Sequence, residues 1–450
     1  MRLMDGPRSR RPRVLRHLPL STVSRPERAL LAGAFLSALA VRGHLIDAYP
    51  DNFSMDAYQR WAGREHLLVQ DWLPATQSAL HLVSSMGGGI LEMRWMMALI
   101  AAAAVAAAAM LVRELGGVLA GWLFIPLSMF GPFLTWSTVP YQEGTYLLTV
   151  LGAVGLVLRG HRLQWSPDHR GWLAADVLAG LAALVRYEGW VFLVLYMAWR
   201  RDRRVLRAAW GAAFWVGIKL SGAQGYAASP TDFADWGGLT DRFSTHDLTR
   251  TLRKFGRHAL DTWLPAVAAL GVIGSGLLAK RRATGLWMIL LLLGLQIAAT
   301  VGWMIGLETA TYRMQAVPGV LLGVLAAGGI GAILTDKPRW ISAVVLLACC
   351  GLMARFIPQA HNNAKRSTKS VKWERKLVKQ MSACESCQWI ITPRRRIGTR
   401  DRHDGCEIIQ GLGAHRHGQD FWCSTWPGTP PFTATHIARW RKGGYKVEAR

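Results

Sequence analysis

The stretch from Trp95 to Leu111 carries no charge and is almost wholly Ala, Met, Leu, Ile and Val. A helix on the surface of a soluble domain needs a polar face, and this one is apolar all round, which places it against lipid or deep among other helices. About ten further blocks of the same character follow along the chain, and a bilayer core of about 30 Å takes roughly 20 apolar residues per helix. At 450 residues the chain has room for two or three soluble domains. The apolar blocks and a mean hydropathy of +0.18 exclude that reading. The expected fold is an all-α polytopic membrane protein.

A net charge of +25 invites a nucleic-acid function. The distribution of Arg and Lys argues against it and for no nucleic-acid partner. They lie mainly in the N-terminal tail, in the short links between apolar blocks, and in the C-terminal region. Basic links on alternate sides of successive spans are the signature of membrane topology. Eleven spans are expected, at residues 29–46, 92–112, 117–134, 142–158, 171–185, 187–199, 208–222, 263–279, 285–306, 314–334 and 340–357. Arg113, Arg159–Arg170, Arg200–Arg207, Lys280–Arg282 and Lys337–Arg339 then share the cytoplasmic side with a basic tail at residues 1–28. That tail resembles the n-region of a signal peptide, but no small-residue cleavage site closes the run after it, so the first span reads as uncleaved. The bilayer is one partner, and the C-terminus is expected outside.

Between the basic flanks around residues 171 and 200 the chain must cross an even number of times, yet each arm has only about 14 residues, or about 21 Å. The tip Arg186-Tyr187-Glu188 is therefore expected below the outer membrane surface. Charges at that depth persist only inside protein or in a wet cavity, where they are functional by default. The plainer alternative is a structural Arg–Glu pair. The Pro140-Tyr141-Gln142-Glu143 tip of the short fourth span is expected to line the same cavity.

The loop 47–91 is too polar to span. Met55–Leu68 reads as a short helix and Pro74–Met86 as an amphipathic helix lying along the interface. Its acids are Asp51, Asp56, Glu65 and Asp71. An outward-facing acid beside a membrane cavity suits a general base or a metal ligand, although solvated loop acids are common. Trp61, Trp72, Trp136, Trp190, Trp236 and Trp303 read as an interfacial belt, with sugar stacking as the rival role. The loop 223–262, with Asp232, Asp235, Asp241, His246 and Asp247, reads either as a lid or as a solvated loop.

Residues 358–450 read as a separate extracytoplasmic unit of small α/β type, following a membrane domain over 29–357. Cys384, Cys387, Cys406 and Cys423 stand there with His403, His415 and His417. One CxxC without a second, in an oxidising compartment, favours disulfides over zinc.

Taken in order, these features resemble the GT-C class of integral-membrane glycosyltransferases, the superfamily of protein O-mannosyltransferases and lipid A aminoarabinose transferases. The ordered set is SMDAYQRW, then WLPATQSALHLVSSMGG, LEMRWMMALIAAAAVAAAAMLVRELGG, STVPYQEGTYLL, GLAALVRYEGW and TATYRMQAVPGVLL. It covers residues of about 29–335. The resemblance implies a polyprenyl-phosphate or -diphosphate sugar donor, used on the outer side, and the expected location is a prokaryotic plasma membrane, as a multi-pass protein. It implies inverting attack by an acceptor hydroxyl on glycan, lipid or protein. Asp56 matches the loop acid that deprotonates the acceptor. Arg313 and Arg186 match the cations that hold the leaving phosphate, and Glu143 and Glu188 match groups that orient them or bind sugar hydroxyls. Asp56 is followed by Ala rather than by a second acid, which leaves the neighbouring carboxylate to Asp51 or Asp71. Oligosaccharyl transferases of this class use a divalent cation and the other relatives are thought not to, so Mg²⁺ or Mn²⁺ stays open. A transporter or flippase is the competing function, but paired broken helices or related halves are not evident.

Overall fold

The computed structural model describes residues 24–50, 52, 60–61, 73–129, 131–221, 245–307, 312–382 and the strand segments 389–393, 402–404, 420–422 and 445–449. Helix α1 (Arg25–Ala48) opens with Pro26 in its first turn, and the Ser24 N–H donates to Glu27 Oε2 at 2.9 Å. Proline costs nothing there, because the first helical N–H groups lack intrahelical partners anyway. Helix α2 (Pro74–Ser85) is likewise led by proline. Helix α3 (Ile90–Gly116) holds the uncharged block and stops at Gly117, whose φ of 87° favours glycine.

The expected third span, 117–134, is two helices, α4 (Val118–Leu127) and α5 (Gly131–Trp136). Pro126 lacks an N–H for the helix behind it, and Pro132 sits naturally in the first turn of a new one. Then come α6 (Glu143–Arg162), α7 (Arg170–Val185), α8 (Glu188–Arg200), a 3₁₀ segment (Arg203–Ala209) and α9 (Trp210–Leu220). Helix α10 (Thr245–Lys280) starts well inside the expected loop 223–262. Its polar first half needs no lipid to be helical, so hydropathy alone places its start too late. Helices α11 (Leu286–Leu307) and α12 (Ala316–Leu334) flank a 3₁₀ turn (Tyr312–Gln315). Helix α13 (Arg339–Ser382) continues without a break past residue 357. The boundary at 358 marks where the sequence turns polar, not where the helix ends.

Among the described residues four helices are long and apolar enough to cross a membrane: α1, α3, α12 and the first part of α13 through Lys365. Shorter apolar helical stretches lie at Val118–Leu127, Pro265–Lys280 and Leu286–Gly302. Helix α12 is the hub, packed on α10, α4 and α3, while α3 also packs on α1 and α6. Small residues allow this. A Cβ added at Gly116 would collide with the Gly328 carbonyl, and one at Gly274 with the Leu325 carbonyl. Close backbone approach replaces the hydrophobic drive that lipid cannot supply between helices. By contrast α13 leaves Trp340, Val344 and Leu347 exposed, as a lipid-facing helix does.

At the end bearing the basic links, Glu27 and Glu114 are buried among Arg113, Arg159 and Arg162. Arg162 Nε meets Glu114 Oε2 at 2.6 Å, Arg159 Nη1 meets Glu27 Oε1 at 3.3 Å, and Arg113 pairs with both carboxylates. The strands β1 (Trp389–Pro393), β2 (Arg402–Asp404), β3 (Asp420–Trp422) and β4 (Tyr445–Ala449) pair in the order β2-β3-β1-β4. β1 runs antiparallel to β3 and β4, and β2 runs parallel to β3. The four cysteines of this region lie outside the described residues.

Candidate functional site

Arg186 caps the C-terminal end of α7 in an extended conformation, and α8 starts two residues later at Glu188. The turn is tight because Gly189 lies against α7. A Cβ there would strike the Ala182 carbonyl, and the Gly189 N–H donates to the Arg186 carbonyl at 2.9 Å. That geometry folds the Arg186 guanidinium onto its near neighbour. Nε donates to Glu188 Oε2 at 3.2 Å and Nη2 to Glu188 Oε1 at 2.6 Å, a bidentate pair. Nη1 donates to Glu143 Oε1 at 3.1 Å. Both glutamates stand in the first turn of their helices, where a carboxylate is favoured by the helix dipole. The side chains are only 12 % exposed for Arg186, 3 % for Glu143 and 9 % for Glu188. Each of the three has further interactions besides these.

The cluster is tied to the rest of the bundle through α6 and α11. Arg186 lies over the Tyr146 ring, 5.9 Å from its centroid. The Tyr146 hydroxyl accepts from Gln296 Nε2 at 3.1 Å. One turn on along α11, Thr300 Oγ1 is 2.7 Å from the Gln296 carbonyl and 3.4 Å from the Met314 carbonyl. The residue before Met314 is Arg313, so one face of α11 links the Arg186 cluster to the turn that carries Arg313. The Arg313 side chain lies outside the described residues. Tyr146 falls within STVPYQEGTYLL without having been singled out there, and Gln296 and Thr300 have no motif of their own. Only the polar Gln296 within the apolar α11 signals them in the sequence.

Helix α2 lies beside this region. Leu73 packs with Leu184 of α7 and Trp215 of α9, while Leu80 packs with Met93, Val139 and Tyr141. The buried Gln77 Nε2 donates to the Arg60 carbonyl at 2.9 Å, tying Arg60 of the loop 47–91 to α2. Asp51, Asp56, Glu65, Asp71 and the expected helix at Met55–Leu68 fall outside the described residues, apart from Arg60 and Trp61. Trp136 meets Tyr141 edge-on at 5.8 Å beside the same tip. Among the described residues no group of three or more His, Cys, Asp or Glu is placed to hold a metal.

Thus the structure brings Arg186, Glu188 and Glu143 together, as their positions at short-helix tips predict. What the cluster can do follows from its saturation. The fork of Arg186 already faces Glu188, so its charge is spent on fixing two carboxylates. Two fixed carboxylates are good acceptors for sugar hydroxyls.

No family model matches the chain, and no curated protein matches it. Solved structures do. The apo oligosaccharyltransferase of Archaeoglobus fulgidus matches with a TM-score of 0.50 at 13% identity, over 87% of this chain and 64% of that one. ArnT from Cupriavidus metallidurans matches in its apo state with a TM-score of 0.44 at 11% identity. Its undecaprenyl-phosphate-bound form matches with 0.44 at 13%; each covers 88% of this chain and 86% of ArnT. The chain spans under two thirds of the archaeal enzyme's length, and what it shares with that enzyme is the fold.

Proposed function

We propose that this chain is a glycosyltransferase that moves a sugar from a polyprenyl-phosphate-linked donor to an acceptor hydroxyl on the extracytoplasmic side. The observation that carries the reading is the buried Arg186–Glu143–Glu188 cluster at the tip of two short helices. Helix α7 has 16 residues and α8 has 13. At 1.5 Å per residue these reach about 24 and 20 Å, less than the hydrocarbon core, so their tip lies below the outer surface. The fold shared with an oligosaccharyltransferase supports the same reading by analogy.

In the proposed reaction Asp56 takes the proton of the acceptor hydroxyl. The acceptor oxygen forms a bond to the anomeric carbon from the face opposite the phosphate. The carbon–oxygen bond to phosphate breaks, its electrons stay on the polyprenyl phosphate, and the anomeric configuration inverts. Arg313 meets that phosphate at headgroup depth, where its fork suits bidentate binding. Arg186 acts through Glu143 and Glu188, which hold sugar hydroxyls. Asp51 neighbours the base. We place the N-terminus inside, eleven crossings between, and outside them a C-terminal α/β unit closed by disulfides.

Purified protein in nanodiscs, offered a panel of polyprenyl-phosphate and polyprenyl-diphosphate sugars, tests the reading. Transfer of sugar with release of the lipid phosphate supports it. Flux of a lipid-linked sugar in proteoliposomes without transfer would make the chain a flippase instead.

A further inference from the structure

Among the described residues two arginines are wholly buried, Arg42 on α1 and Arg94 on α3. Neither belongs to the cluster above. Arg94 Nη1 donates to the carbonyls of Tyr49 at 2.6 Å and Pro50 at 2.9 Å. Its Nε donates to the Thr138 carbonyl at 3.1 Å, and its Nη2 reaches Thr138 Oγ1 at 3.4 Å. Arg42 Nε donates to the adjacent Ser137 Oγ at 2.8 Å, with its guanidinium 4.8 Å from the centroid of the Phe133 ring.

These partners lie on two separate segments. Tyr49 and Pro50 are where the chain leaves α1 for the first outer loop, six residues before Asp56. Thr138 lies on the tip between α5 and α6, five residues before Glu143. A planar fork with donors on three nitrogens can hold both segments at once, and a lysine ammonium cannot. A buried guanidinium among carbonyls is a poor way to gain stability alone, because desolvation offsets much of the attraction.

We infer that Arg94 is a positioning residue, which fixes the register of the first outer loop against the tip bearing Glu143. This rests on the function proposed above, in which the loop supplies the base and the tip supplies a sugar-binding carboxylate. Reacting groups carried on separate segments must be held closely, since a misplacement of about 1 Å can cost on the order of 10²-fold in rate.

The test uses full-length protein in nanodiscs, as wild type, Arg94→Lys and Arg94→Gln. Hydrogen exchange by mass spectrometry should quicken in peptides covering 49–60 and 136–143 while α12 keeps its protection. In the same samples kcat should fall on the order of 10²-fold in Arg94→Gln, with the donor KM nearly unchanged. Arg94→Lys should restore little of either. Unchanged exchange at the two segments overturns the inference, as does exchange that quickens throughout the protein, which would make Arg94 only a fold stabiliser. If wild type transfers no sugar from any donor, local quickening still establishes the clasp and it is the transferase reading that fails.

Discussion

Both ends of the bundle gather arginines around buried carboxylates, to different ends. At the end bearing the basic links three arginines surround Glu27 and Glu114. Glu27 lies in the first turn of α1, Arg113 in the last turn of α3, and Arg159 and Arg162 in the last turn of α6. Each charge faces the helix pole that favours it, so the cluster locks three helix ends at the basic end of the bundle. At the other end a single arginine serves two carboxylates at the tip of α7 and α8, helices of 16 and 13 residues that are shorter than a bilayer's hydrocarbon core, so that a charge there lies at membrane depth. Locking helix ends does not require charges at that depth, where they are costly. The network at the basic end thus has the composition of a packing device, and the Arg186 cluster that of the binding site proposed above.

Substitutions at the two ends should therefore separate activity from stability. The largest contrast is expected between Arg186→Ala and Arg162→Ala. Arg186→Ala leaves two buried carboxylates without their shared cation, and sugar transfer should fall to background. Arg162 is 42 % exposed. Its loss should leave the transfer rate within about twofold, because exposed ion pairs contribute little. Equal losses in a turnover assay would erase the distinction. Next, Arg313→Ala should weaken donor binding severely and Arg313→Lys should recover only part of it, measured by titration with the lipid-linked sugar. Full donor affinity in the Ala variant would remove Arg313 from the site.

Glu27→Gln probes the basic end. It strands Arg113 and Arg159 with less negative charge, and breaking a buried pair typically costs about 3–5 kcal/mol. Thermal unfolding should shift down clearly while the transfer rate per folded molecule stays unchanged. The smallest effect concerns His169, which caps α7 by accepting the Gly171 N–H on Nδ1 at 3.0 Å. Burial lowers its pKa below the ordinary 6.5. The folded state thus prefers the neutral ring, and the cap's contribution is complete above 6.5 and lost as pH falls below it. Wild type should lose slightly more stability than His169→Ala on going from pH 7.5 to 5, by less than about 1 kcal/mol. Parallel pH profiles would assign the cap no such role.

Much of this was legible in the sequence, for definite reasons. Pro74 announces α2, and the uncharged run from Trp95 announces α3. The basic flanks around α7 and α8 force a short hairpin whose tip carries Arg186 and Glu188. Glu143 joins them because a second short span ends in a polar tip. What stayed hidden depends on partners that leave no trace in composition. Arg94 holds chiefly backbone carbonyls, and any residue type supplies a carbonyl. The break between α4 and α5 needs the joint effect of Pro126 and Pro132 in an apolar run that hydropathy treats as continuous. The helical starts and ends of α10 and α13 lie in polar sequence, where a scale built on lipid burial is blind.

The proposed transfer reaction depends most on Asp56 as its base, and one substitution addresses that directly. Asp56→Asn keeps the side chain's shape and removes its basicity. Release of polyprenyl phosphate from a labelled donor should be measured under single turnover for wild type and variant. The account predicts release by wild type and a rate lower by about 10²–10⁴-fold in the variant, with donor binding intact. An Asn variant that turns over at the wild-type rate would contradict it, and would pass the role of base to Asp51 or Glu143.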